Sequence, residues 1–141
     1  MINQLIVIGI PVSAQTKTPK NRVAWTKRVR EAARAAIAEE DRHEFVNVSV
    51  VIVQYCFGWS EGDLDNIAKP ILDGLSGPAY PDDRWVTQLT LRRTDLSATV
   101  DVHDPPPPLL DALAAALKEE RDFIYIRVED EADHRRLPWN T

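Results

Sequence analysis

The stretch EGDLDNIAKPILDGLSG (residues 61–77) puts carboxylates, an asparagine and a lysine at the start of a helix that is otherwise apolar. Ile67, Ile71, Leu72 and Leu75 recur at helical spacing, which predicts a helix from about Asp65 to Leu75 ended by Gly74 and Gly77. Packing alone gives no reason for Asp63, Asp65, Lys69 and Asp73 in one such segment. Nor does it explain Pro70, which forfeits a backbone hydrogen bond inside the helix. Side chains two apart in extended backbone point the same way, so Asp63 and Asp65 can face one space, with Lys69 one turn beyond Asp65. Either the set is an elaborate cap, or the carboxylates hold something.

The flanks of this helix read as strands. Upstream, FVNVSVVIVQYCF (residues 45–57) alternates Val46, Val48, Val50 and Ile52 onto one face. The other face mixes Asn47 and Ser49 with Val51, Val53 and Tyr55, as in a sheet partly covered on that side. Downstream, GPAYPDD (residues 77–83) is a turn, and RWVTQLTLRR (residues 84–93) is a strand able to run beside the first. Further out, Leu5 to Ile10 is a strand stopped by Pro11, and a basic loop follows. A helix from about Val23 to Glu40 comes next, with Trp25, Val29, Ala32, Ala33 and Ala36 on one face and Lys27, Arg30 and Arg34 opposite. On the far side, VHDPPPPLLDALAAALKEERD (residues 102–122) is a Pro-rich lead-in to a short helix with Leu110, Leu113, Ala114 and Leu117 as its stripe. FIYIRV (residues 123–128) closes the sheet, and residues 129–141 form a charged, poorly ordered tail. The order β-α-β-α-β-(α)-β predicts an α+β fold: one mixed sheet with helices packed on it, in a single domain over residues 1–128.

Composition narrows the class. The chain has 141 residues, 44% hydrophobic and 28% charged, in the range of an ordinary globular domain. Its first apolar run is too short for a bilayer and no signal peptide is evident, which predicts a cytoplasmic protein. Cys56 is the only cysteine, excluding an internal disulfide and a cysteine-built zinc cage. The net charge of −5 is unevenly spread, since residues 1–34 carry seven Lys/Arg against one acid. This basic block points to a local anionic partner, with the loop residues Lys17, Lys20 and Arg22 as phosphate contacts. Arg30 and Arg34 fit a solvated helix face better. His43, His103 and His134 show no ligand spacing and are expected on the surface. Trp25, Trp59, Trp85 and Trp139 raise the idea of stacking on bases; Trp25 is expected in the core, and Trp59, in the loop before Asp63, fits packing better than a DNA contact.

Asp82 and Asp83 follow the helix directly before a strand, so the chain's return can bring one of them to the Asp63–Asp65 pair. Three carboxylates without thiols or imidazoles make a hard-oxygen site suited to Mg2+ or Mn2+. An ammonium such as Lys69 next to it can meet a phosphate, which is the outfit phosphodiester hydrolysis needs. The competing interpretation is structural: Asp63 or Asp65 as helix cap, Asp65–Lys69 as a surface pair, and Asp82–Asp83 as a plain turn.

The run DLDNIAKPILDGLSG…DD…V resembles the signature of the RusA-type Holliday junction resolvases, the crossover junction endodeoxyribonucleases: Asp-x-Asp-Asn, Lys-Pro two residues on, Asp-x-Leu near the helix end, then Asp-Asp-x-x-Val. The resemblance extends more loosely over most of the chain. It implies a homodimeric, Mg2+-dependent nuclease acting on branched DNA, with Asp63, Asp65 and Asp83 as metal ligands and Lys69 as the essential lysine. Asn66 then braces the loop and Asp73 pairs with Lys69. Two matched cuts in opposing strands of a four-way junction account for the dimer. The chain departs from the pattern in its acidic balance, in Arg84 and Trp85 after the aspartates, and in a helical insertion over about residues 98–122. That insertion is either a packed surface helix or one that extends the dimer interface, caps the DNA cleft or binds another protein. The alternative function is therefore a non-catalytic protein that binds branched DNA or a replication partner.

Overall fold

The computed structural model describes residues 1–58, 62–98 and 101–131. Its frame is the strand β2, Val48–Cys56, which is buried along nearly its whole length. Val48, Val50 and Ile52 enter one core cluster, while Val53 and Tyr55 enter a second on the opposite face. The period-2 pattern thus feeds two layers of helices. Asn47 and the exposed Val46 lie outside the strand.

The sheet has four strands in the order β1-β4-β2-β3, where β1 is Ile2–Ile8, β3 is Val86–Asp95 and β4 is Phe123–Asp130. β4 runs antiparallel to both neighbours, and β2 and β3 are parallel. The last strand therefore enters the middle of the sheet. Its two faces explain this: Ile124, Ile126 and Val128 are buried on one side, Phe123 and Tyr125 on the other. The pairings Ile2↔Glu129 and Val48↔Asp130 carry the strand past the expected tail boundary, and Glu129 is 3% exposed. Residues 132–141 of that tail, with His134 and Trp139, lie outside the described residues, as does Trp59.

The helix α1 spans Pro19–Ala36, earlier than Val23–Glu40. Proline is at home in a first turn, where its missing N–H has no partner to lose, so the helix starts there. It stops because Ile37 turns extended, and Glu39–Asp41 forms a separate 3-10 turn. Trp25, Val29 and Ala33 face the core, as expected. The helix α2, Leu64–Leu75, crosses α1 closely at Gly74, where a Cβ would come within 2.7 Å of the Val29 side chain. Gly74 is thus a contact residue inside the helix, and does not end it.

The helix α3, Pro107–Glu119, covers the second face with Leu109, Leu113 and Ala116. This corrects the expected stripe: Leu110 and Leu117 are more than half exposed, and Ala114 is exposed too. Successive leucines at 109 and 110 leave the rotation of the helix open. Packing against Tyr55 and Phe123, whose rings stack 4.8 Å apart, settles it. His43 is also corrected, since it is 2% exposed and its Nδ1 lies 2.6 Å from Asp130 Oδ1, while His103 is exposed as expected. Among the described residues no helix is long and apolar enough to cross a membrane.

Candidate active site

Asp63 occupies the N-cap position of α2 in extended conformation, yet its carboxylate accepts no capping hydrogen bond. Its backbone carbonyl does the local work, accepting from the N–H groups of Asn66 (3.0 Å) and Ile67 (3.2 Å). Asp65 is exposed in the first turn and forms no ion pair with Lys69. Among the described residues, neither carboxylate has a hydrogen-bond or ion-pair partner. The two are therefore not a helix cap with a surface pair.

Lys69 turns the other way along the helix. Its Nζ lies 2.8 Å from Asp73 Oδ1 and 3.3 Å from Asp83 Oδ2. The Asp73 hydrogen bond, more than the Asp83 one, raises the lysine above its ordinary pKa. It remains an ammonium through the neutral range. Asp83 opens the 3-10 turn Asp83–Trp85, and Asp82 caps that turn, accepting from the backbone N–H of Arg84 at 2.8 Å. Arg84 Nε adds a 3.1 Å ion pair to Asp82, so Asp82 is committed to its own turn and Asp83 is free to face α2.

Behind Asp83 lies a residue the sequence reading missed. Tyr80 is fully buried, and burial, reinforced by the Asp83 charge, pushes its phenol far above the usual range. The Tyr80 hydroxyl and Asp83 Oδ1 are both buried, the phenol leaning on the Asp83 carboxylate without a well-formed hydrogen bond. A half-buried carboxylate so weakly satisfied is costly to keep, and such cost is often found where a group has another task.

The loop before Asp63 is held from the sheet. Arg93 on β3 donates from Nη2 to the Gly62 carbonyl at 2.7 Å and from Nε to Gln54 Oε1 at 2.8 Å. Gln54 is fully buried in β2, so the clamp is anchored in the core. Gly62 has φ +86, a conformation that suits glycine, and leads directly into Asp63. At the end of β2, Asp95 Oδ1 accepts from Gly58 N at 2.8 Å, and Asp122 Oδ1 from Phe57 N at 3.3 Å. The signal for the clamp was a glutamine inside an apolar strand, which only an internal partner makes affordable.

Pro70 acquires a reason from the same neighbourhood. Lacking an N–H, it leaves the carbonyl of Asn66, four residues back, without its helical donor. The Ala14 N–H of the basic loop takes that carbonyl at 2.7 Å. The loop is thereby fastened to α2, and Arg22 secures it again by donating to the Ala14 carbonyl at 3.2 Å. Of the predicted phosphate contacts, Lys17 and Lys20 are exposed, whereas Arg22 also braces the loop. Lys17, Ser13, Gln15, Thr16, Asn21 and Gly62 line a cleft of about 400 Å³ alongside. Arg30 departs from the solvated face expected for it: it is half-buried and donates to the Asp73 carbonyl at 2.7 Å, tying α1 to α2.

The acidic groups thus fall into two sets: Asp63 and Asp65 at the start of α2, and Asp73 with Asp83 around Lys69. Among the described residues no group of three or more Asp, Glu, His or Cys side chains stands close enough to hold a metal ion. The expected convergence of Asp63, Asp65 and Asp83 is not formed within the described chain. In donor chemistry the set suits a hard divalent cation, being all carboxylate, with the Asp63 and Asp65 side chains uncommitted and Asp83 Oδ1 in no well-formed hydrogen bond. Residues 10–103 match the family model described as endodeoxyribonuclease RusA. No curated protein matches the chain.

Proposed function

The chain belongs to the RusA endodeoxyribonuclease family, and from that premise we propose that it is a Mg2+-dependent, structure-selective nuclease that nicks branched DNA, four-way junctions foremost, by paired cuts from a homodimer in the cytoplasm. The observation that carries this reading is the state of Asp63 and Asp65. A helix cap would have used them, and the helix does without.

Asp63 and Asp65, joined by Asp83 if it is drawn to them from beside Lys69, are the residues that would hold the cation, Mg2+ or Mn2+. When bound, the cation supplies Lewis acidity toward a phosphoryl oxygen and acidifies a water. Lys69, kept protonated by its neighbours, contributes positive charge where the phosphate becomes more anionic, and does not serve as a base. Lys17, on the loop that Asn66 and Ala14 fasten to α2, and Lys20, in the first turn of α1 and not in the loop expected for it, hold the DNA backbone. The clamp from Arg93 keeps Gly62, and so Asp63, in place.

A second reading has its own observation. α3 lies beyond the matched residues 10–103 and presents an apolar groove of about 410 Å³ that includes Leu96, Val102, Leu110 and Leu117. A protein partner docking there fits a chain that binds branched DNA or a replication partner without cutting.

The test is a labelled synthetic four-way junction beside a linear duplex of the same sequence, in Mg2+ and in EDTA. Paired nicks near the crossover in Mg2+, and none in EDTA, are expected, from a species with the mass of a dimer. Junction binding without cutting at any Mg2+ or Mn2+ concentration would favour the second reading. Arg93→Leu gives a finer check. Releasing Gly62 misplaces Asp63, so cleavage at limiting Mg2+ should fall roughly 10- to 100-fold, with partial recovery at high Mg2+. Unchanged cleavage at limiting Mg2+ would show that the clamp has no part in the chemistry.

A further inference from the structure

Phe45 is 73% exposed and has φ +52, a left-handed backbone conformation unfavourable for a bulky side chain. Strain at an exposed aromatic is not explained by burial, because there is little burial to gain. Its ring meets that of Trp85 edge-on, with centroids 5.8 Å apart and planes at 79°. Edge-on contact leaves ring face unused. Trp85 ends the 3-10 turn that Asp83 opens, so the aromatic pair adjoins the candidate active site. Trp85 is also one of the positions where the chain departs from the signature it resembles.

We propose that Phe45 and Trp85 form a stacking platform for an unpaired base at the branch point of the DNA, and that this platform sets the preference for branched over linear substrate. The proposal rests on the nuclease reading for its substrate and goes beyond it in naming the selecting residues. In a linear duplex each base is already stacked on its neighbours. At a branch point a base can leave the stack and exchange one aromatic face for another, a contact that tolerates any sequence. The surrounding charge is largely neutralised toward an anionic strand. Asp82 is paired with Arg84 and Glu44 with Arg42 at 2.7 Å, while Lys69 is shared between Asp73 and Asp83 and leaves that set one negative charge. A protein partner is the weaker occupant. Two rings and the exposed Val46 fall well short of the roughly 800 Å² that each side of a stable protein interface buries.

The experiment measures binding of the full chain to a four-way junction and to a linear duplex in Ca2+, where affinity can be read apart from Mg2+-dependent cleavage, together with Tm and solution mass. Phe45→Gly removes the ring and accepts the left-handed conformation without strain. Its Tm should stay within about 3 °C of wild type, because strain relief offsets the freer unfolded chain. Junction affinity should fall on the order of tenfold, with duplex affinity unchanged. Phe45→Tyr should restore the junction affinity, and Trp85→Leu should repeat the loss. Unchanged discrimination in both Phe45→Gly and Trp85→Leu overturns the platform, whatever their Tm. A change of mass with equal loss on both DNAs overturns it in favour of a protein contact. If the wild type binds no branched DNA, the nuclease reading fails first and the platform with it.

Discussion

Asp83→Asn is expected to lower Mg2+-dependent cleavage of a four-way junction by about a thousandfold while leaving junction binding within about threefold of wild type. The swap preserves side-chain shape and removes the charge that a hard cation needs. It also removes the Lys69 ion pair, 3.3 Å long and between groups that solvent reaches, so little stability is at stake. Asp83 Oδ1 is buried beside the Tyr80 hydroxyl, where an amide of the same shape can still be accommodated. The variant should melt within a few degrees of wild type, on the order of what a surface pair contributes. Single-turnover cleavage, junction titration and a thermal melt on the same preparations decide the matter. Cleavage within tenfold of wild type would remove Asp83 from the site, and lost binding would reassign it to DNA contact.

Lys69→Met should cost roughly 100- to 1,000-fold in single-turnover cleavage, with a much smaller change in junction affinity. In the folded chain this ammonium stands between Asp73 and Asp83, and methionine leaves two carboxylates facing each other without a counter-charge. The lysine side chain is 62% exposed, so the stability loss should stay near the range of a surface pair, about 1 kcal/mol or less. Lys69→Arg separates charge from shape. Arginine keeps the positive charge but is a broad planar fork, so partial activity is expected. Full activity in Lys69→Met would confine the residue to ion pairing, and a collapse in Tm would make it a structural strut.

The lysine also shows where local rules stop. Asp65 lies four residues before it and Asp73 four after, and an acid on the N-terminal side is ordinarily the better helical partner. The local rule therefore favours the Asp65 pair. The folded chain chooses Asp73 because Asp83 arrives on that side from the next strand and adds a second carboxylate. Losing the lysine is what leaves Asp65 uncommitted. The Pro70 anomaly is similar: the sequence shows a helix giving up a hydrogen bond, and the partner that compensates, Ala14, is dozens of residues away. Tyr80 carried no signal at all, since a tyrosine in a Gly-Pro turn is ordinarily exposed.

What the chain determined by itself is whatever depends on near neighbours. The alternation in β2 and the apolar stripe of α2 are periodicities of backbone geometry, legible without knowing what they pack against. So were the carboxylate-rich helix start and the spacing that marks the family. Tertiary structure decided which of several locally equal choices won. It rotated α3 onto Leu109 and Leu113 and left Leu110 out, placed β4 inside the sheet, and buried His43 against Asp130. In each case local conformation costs nearly the same either way, and contacts between residues far apart in sequence supply the difference.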